Sequence, residues 1–209
     1  MRCLLCGKPM EEGSLKDILL SDDVICSDCR RTWIHQRRHF TVEGVKAESD
    51  YVYRSGFSSC LLQYKECGDE ALKDVFLYEV KKRLKREYRG WTLCMMPSSA
   101  TKLEMRGFSH LKEIFLTTQL PVMEPFVKNN ETAQKKASFA GRQQMSEAVS
   151  LKEGIVLPEK IVLCDDVITT GATLKGALHC LDRSRVQVQI YTIAADWQGK
   201  KHKNGEEWA

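Results

Sequence analysis

Residues 161–174, Ile-Val-Leu-Cys-Asp-Asp-Val-Ile-Thr-Thr-Gly-Ala-Thr-Leu, constrain the fold of this chain more than any other stretch. An uninterrupted apolar run leads into two adjacent carboxylates, then into a turn of small and hydroxylated residues that opens a helical pattern. Such a run, bounded by a turn signal, reads as a strand buried on both faces, as inside a parallel sheet. The turn has its own chemistry. Thr169, Thr170, Gly171, Ala172 and Thr173 offer backbone N–H groups and hydroxyls at a helix N-terminus, an arrangement that captures a phosphate dianion. Gly171 permits a turn or a close backbone approach that a side chain would hinder. Asp165 and Asp166 would repel that phosphate, so they must face something else: sugar hydroxyls or a bound cation.

The rest of the chain fits an α/β frame around this unit. Leu72, Val75, Phe76, Val80 and Leu84 fall on one face and predict a helix over 70–88, stopped by Gly90. Residues 91–96 predict a strand ended by Pro97, and 109–118 a helix. A helix over 173–183 and a strand over 186–195 come after the turn. Tyr51-Val-Tyr53 reads as a short strand paired with the residues on its C-terminal side. Strands alternating with helices imply a parallel sheet with ligands at the carboxyl ends of its strands. Residues 128–147 show no apolar period and read as a long mobile loop.

Nine cysteines are many for 209 residues, and the number is odd. Four pair by spacing: Cys3-x-x-Cys6 and Cys26-x-x-Cys29. Two such turns close a tetrahedral shell around one zinc ion, and a filled four-thiolate shell makes the metal structural. Cys60, Cys67, Cys94, Cys164 and Cys180 are scattered and read as small buried hydrophobes. After the module come Arg30, Arg31, Arg37 and Arg38 with Trp33, His35, His39 and Phe40. Residues 30–49 read as a connector, either merely solvated or able to hold a phosphate backbone and stack bases of single-stranded DNA. The net charge of +4 is too mild to decide between these. No apolar run is long enough to span a bilayer, and the chain reads as cytoplasmic.

The acidic pair and Thr-Thr-Gly-Ala-Thr resemble the phosphoribosyl-pyrophosphate (PRPP) loop of the type I phosphoribosyltransferases. That resemblance puts a 5′-phosphate on Thr169, Thr170, Gly171, Ala172 and Thr173 and ribose hydroxyls on Asp165 and Asp166, with Mg²⁺ accompanying PRPP. With the cysteine pairs, the chain resembles the ComF family of bacterial late-competence proteins over most of residues 1–195. The further matches are Tyr51-Val-Tyr53, Lys65 with Gly68-Asp69, Met96-Pro97-Ser98-Ser99, Arg106-Gly107-Phe108-Ser109-His110, and a polar segment with Gln134 and Arg142. The family's usual Val-Pro-Val-Pro is here Met95-Met96-Pro97-Ser98-Ser99. Its Arg-Gly-Phe-Asn-Gln ends in Ser109-His110, and its Lys-Tyr-x-Gly-Asp is Lys65-Glu66-Cys67-Gly68-Asp69.

The expected organisation is a zinc-binding module over 1–40, a phosphoribosyltransferase-like domain over 50–198 and a polar tail over 199–209. Arg106, Lys65 and Arg142 are the candidate catalytic cations for pyrophosphate, with the 128–147 stretch as a lid. Three functions stay open. The first is a PRPP-binding accessory of natural transformation that meets incoming single-stranded DNA or other competence proteins. The second is an active phosphoribosyltransferase acting on a base, and the third a sensor of PRPP or a ribose 5-phosphate nucleotide.

Overall fold

The computed structural model describes residues 1–10, 23–128, 149–196 and 207–208. Gln134, Arg142 and nearly all of the expected 128–147 loop lie outside the described residues. The elements in chain order are α1 (Ser27–Arg31), β1 (His35–Val42), β2 (Val45–Val52), α2 (Ser55–Glu66), a 3₁₀ segment (Glu70–Val75), α3 (Lys81–Glu87), β3 (Thr92–Met95), α4 (Ala100–Arg106), α5 (His110–Leu116), β4 (Val122–Met123), β5 (Phe126–Lys128), β6 (Val149–Leu151), β7 (Lys160–Ile168), α6 (Ala172–His179) and β8 (Gln187–Ala195).

Six strands form one sheet in the order β1-β2-β8-β7-β3-β4, and β5 and β6 form a separate antiparallel pair. Only β1 and β2 pair antiparallel within the large sheet; β2–β8, β8–β7, β7–β3 and β3–β4 are all parallel. The expected α/β parallel sheet is therefore observed. Strand β7 has parallel neighbours on both sides, and Ile161, Val162, Leu163 and Cys164 are fully buried. That double burial is why its sequence runs apolar without alternation.

Four expectations change. Residues 30–49 are not a connector: they build β1 and most of β2, and β1 runs across residue 40, where the cysteine module was expected to end. Trp33 and Phe40 are buried, so neither is presented for base stacking. Trp33 instead packs edge-on against Tyr51 and Phe57. Strand β2, which contains Tyr51, pairs with β1 before it and with the distant β8, not with the residues on its C-terminal side, which form α2. The 70–88 helix is broken into the 3₁₀ segment, a run of turns and α3. The consecutive residues Val75, Phe76 and Leu77 are all fully buried, and a straight α-helix cannot turn three neighbours to one face. Finally, the tail is not polar throughout. Glu207 bridges to Thr41, and Trp208 is buried against Phe40.

Of the scattered cysteines, Cys60, Cys94 and Cys164 are buried as expected, whereas Cys67 is exposed. No helix among the described residues is long and apolar enough to cross a membrane.

Candidate functional site

The site forms where β7 ends. Strand β7 runs through the acidic pair to Ile168, and Gly171 then turns the chain into α6 with a φ of 72°. That left-handed backbone suits glycine and strains any other residue. Thr169 and Thr170 are exposed, and Ala172 and Thr173 are half-buried. Thr170 Oγ1 accepts from the Ala172 amide at 3.3 Å, which helps close the turn. All five residues of the expected phosphate loop thus lie at the carboxyl end of β7 and the start of α6.

Asp166 is buried and takes two side-chain partners. Lys65 Nζ stands 2.5 Å and His110 Nε2 2.6 Å from its Oδ2. Behind His110, Arg106 NH1 lies 2.8 Å from Nδ1, and Arg106 Nε donates to the Lys65 carbonyl at 2.7 Å. Guanidinium has no lone pair to give. His110 Nδ1 must therefore accept, which leaves Nε2–H as the donor to Asp166 and the ring neutral. The titration trends agree: burial lowers the His110 pKa, and Lys65 and Arg106 lower it further, against the pull of Asp166. Burial opposes ionisation of Asp166, but Lys65 and His110 more than offset it and hold the carboxyl well below the usual carboxylate range. Asp165 moves the other way, raised by burial and by the charge of Asp166 beside it. The two adjacent carboxylates are thus pushed apart, Asp166 toward its charged form and Asp165 toward its neutral one.

Of the three candidate cations, Lys65 therefore reaches the acidic pair directly and Arg106 through His110, from separate elements. Lys65 comes from the end of α2, and Arg106 from the last residue of α4, before Gly107 at φ 80°. A cleft of about 180 Å³ opens beside them, lined by Lys65, Glu66, Cys67, Gly68, Lys102, Met105 and Arg106. A larger hollow of about 540 Å³ lies at the amino ends of β7 and β8. It holds neither the acidic pair nor the glycine turn, and ligands of parallel sheets bind at carboxyl ends. Sequence reasoning missed His110 as a functional residue. Its place after Arg-Gly-Phe stands out in the sequence only as a departure from the family pattern, because Arg106 ends α4 and His110 begins α5, with left-handed Gly107 between them.

Three of the four arginines expected to face DNA are paired with acids, Arg31 in an exposed pair. Arg30 grips Asp23 with Nε and NH2 and lies 4.5 Å over the Trp33 ring. Arg37 pairs with Glu48 and Glu87, and Arg31 with Asp28.

The four paired cysteines do come together. Their sulfurs all lie within 4.8 Å of one another, with Cys3–Cys29 at 3.8 Å and Cys6–Cys26 at 3.7 Å. A tetrahedron with Zn–S bonds of about 2.3 Å has edges of about 3.8 Å, so the cluster can hold one such ion. Local backbone builds the first knuckle: the Gly7 amide donates to the Cys3 carbonyl and the Cys3 amide to the Lys8 carbonyl, both at 2.9 Å, with Gly7 at φ 69°. Burial opposes the Cys3 thiolate, but amides of Cys26, Cys6 and Leu5 pull its pKa down to about 6.

Comparison with known proteins runs along the same lines. Residues 105–208 match the family model described as phosphoribosyl transferase domain. The chain is 24% identical to the competence protein ComFC of Streptococcus pneumoniae, over 88% of this chain and 94% of that protein. It is 26% identical to ComFC of Bacillus subtilis, over 86% of this chain and 70% of that protein. Among solved structures, a hypoxanthine phosphoribosyltransferase of Staphylococcus aureus aligns at 15% identity and a TM-score of 0.42, covering 66% of this chain and 73% of that one. Residues 105–208 therefore carry a phosphoribosyl transferase domain, and the chain is similar over most of its length to the competence proteins ComFC.

Proposed function

We propose that this protein binds PRPP, or a nucleotide built on ribose 5-phosphate, and serves natural DNA transformation, a role suggested by its likeness to proteins named as competence proteins. The observation that carries the ligand is the end of β7, where an acidic pair and a left-handed glycine turn stand in one strand-to-helix junction. In this reading the 5′-phosphate meets Thr169, Thr170, Gly171, Ala172 and Thr173 at the start of α6. The ribose hydroxyls meet Asp165 and Asp166. Since Asp166 is already held by Lys65, the ligand takes over part of that carboxylate and frees the lysine for the pyrophosphate. Arg106 adds a second cation there, with a fork suited to phosphate oxygens. Mg²⁺ fits the oxygen donors of the pair and would offset the charge between carboxylates and pyrophosphate. Zinc in the Cys3, Cys6, Cys26 and Cys29 shell is a structural tie, since no fifth ligand position is left open.

The transformation role rests on the likeness to ComFC rather than on a DNA-binding surface, because Trp33 and Phe40 are buried and Arg30 and Arg37 are paired with acids. Single-stranded DNA and other competence proteins are its proposed partners in the cytoplasm. The phosphoribosyl transferase match favours a second reading, transfer of ribose 5-phosphate to a base. Incubation with PRPP, Mg²⁺ and the common bases separates the two. Binding without pyrophosphate release supports the accessory role, and base-dependent release supports the enzyme. Absence of any PRPP binding would contradict both.

A further inference from the structure

The phosphate loop is held from behind by a residue far away in sequence. Trp208 is buried, and its indole Nε1 donates to the Thr169 carbonyl at 3.0 Å. Its own amide donates to the Thr41 carbonyl at 2.7 Å, and Glu207 accepts from the Thr41 hydroxyl and from the Gly44 amide at 3.4 Å. The ring sits 5.1 Å from Phe40. It also lies against the backbone of Gly171, where an added Cβ would stand 3.2 Å from indole Cδ1 and 3.6 Å from Nε1. The segment 207–208 therefore ties strand β1 to the loop.

This contact has a consequence for the loop's donors. In a planar trans peptide the carbonyl of one residue and the amide of the next point in opposite directions. With the Thr169 carbonyl fixed toward Trp208, the Thr170 N–H is aimed to the opposite side, away from the indole. The same contact keeps the Thr169 carbonyl dipole turned from an anion that would repel it. The ring against Gly171 backs the left-handed turn that starts α6.

We infer that Trp208 is a positioning residue for the phosphate loop: it orients the 169–170 peptide and braces Gly171, so that affinity for a ligand phosphate depends on the docking of residues 207–208 onto β1. The inference rests on the loop being the phosphate site. By linkage, phosphate binding and docking strengthen each other equally.

The test uses the full chain with its zinc and two variants. Trp208→Phe keeps a ring against Gly171 and Phe40 but loses the N–H donor, and Trp208→Ala loses both. Calorimetry with PRPP and Mg²⁺ should give affinities weaker by roughly threefold to tenfold for Trp208→Phe, the worth of one hydrogen bond, and by more than tenfold for Trp208→Ala. Hydrogen–deuterium exchange without ligand should speed up in the peptide covering residues 167–174 while the buried part of β7, residues 161–164, keeps its protection. A merely structural loss would loosen both segments. Wild-type affinity and wild-type loop exchange in both variants would overturn the inference. If the wild type binds no PRPP, the ligand reading fails by itself, and loop exchange in the variants still decides the role of Trp208.

Discussion

Two pairs of carboxylates, Glu48 with Asp50 and Asp165 with Asp166, are held in different ways. Glu48 and Asp50 lie on β2 within the sheet. Glu48 takes Arg37, Arg83 and the Tyr88 hydroxyl at 2.9 Å, and Asp50 takes Arg83 and the Tyr191 hydroxyl at 2.7 Å. Burial alone would push the Glu48 pKa up, yet Arg37 and Arg83 hold it below its ordinary value. Asp165 and Asp166 lie at a strand's carboxyl end. There one flexible lysine and one neutral histidine hold Asp166, and no guanidinium touches either acid among the described residues. Rigid forks with several parallel bonds lock a carboxylate, whereas a lysine on a four-carbon stem can leave it. In our proposal it is the displaceable lysine at a strand end, and not burial, that sets Asp165 and Asp166 apart from Glu48 and Asp50.

Removing one partner from each pair should expose that difference. Arg83→Met would leave two buried carboxylates short of a cation, and we expect a loss of about 3–5 kcal/mol in denaturant unfolding. Lys65→Met should cost less, about 1–2 kcal/mol, because His110 stays on Asp166 and the lysine was partly exposed. It should weaken PRPP binding, which Arg83→Met should leave close to wild type wherever that variant folds. Equal stability losses, or unchanged PRPP affinity in Lys65→Met, would break the contrast.

The pH dependence sharpens it further. Unfolded histidine titrates near 6.5 and unfolded aspartate near 3.9. His110 and Asp166 both bind protons less readily when folded. Their contributions are therefore full above the unfolded values and are lost as pH falls through the folded ones. Asp165 has the opposite sign: its raised pKa means the fold takes up a proton more readily, which offsets the histidine as pH falls from about 7 to 5. We expect stability measured from pH 7 to 5 to change little in the wild type. It should fall in Asp165→Asn and rise in His110→Gln. Glu48 should act only below its ordinary value of 4.5, where stability drops in all three. Parallel profiles for the wild type and both variants would show that the two acids and the histidine are not coupled.

The smallest expected effect concerns the metal and serves as a control on both pairs. We expect about one zinc per wild-type chain from the four-thiolate shell and its loss in Cys26→Ser, while the PRPP affinity changes little. Elemental analysis that finds no metal in wild-type protein prepared without chelator would contradict the zinc assignment.

How much of this was legible depends on the physics of each segment. Strand β7, the glycine turn and the two cysteine pairs stand out because local chemistry dictates them: a doubly buried strand, a left-handed turn, a tetrahedron. The sheet class comes from the alternation of strands and helices. The β1–β2 hairpin was hidden because the exposed positions of β1 carry Arg37 and His39, and the half-buried Arg38 precedes Phe40 and Val42 on the inner face, so charges mask the apolar alternation of an edge strand. Its acid partners, Glu48 and Glu87, are distant in sequence and left no local trace. His110 reached the site only through the meeting of α5 with the end of β7, and Trp208 only through docking across the sheet. The break in the 70–88 helix came from burial on several sides, which a single apolar face cannot describe.

The central claim is that the end of β7 holds a phosphoribosyl ligand, and calorimetry with PRPP and Mg²⁺ on wild type and Gly171→Val tests it most directly. Valine at a φ of 72°, with the Trp208 ring 3.2 Å from its Cβ, cannot keep this turn. The account predicts one PRPP per wild-type chain, no measurable heat for Gly171→Val, and a retained fold by circular dichroism. No heat from the wild type, or equal binding by Gly171→Val, would contradict it.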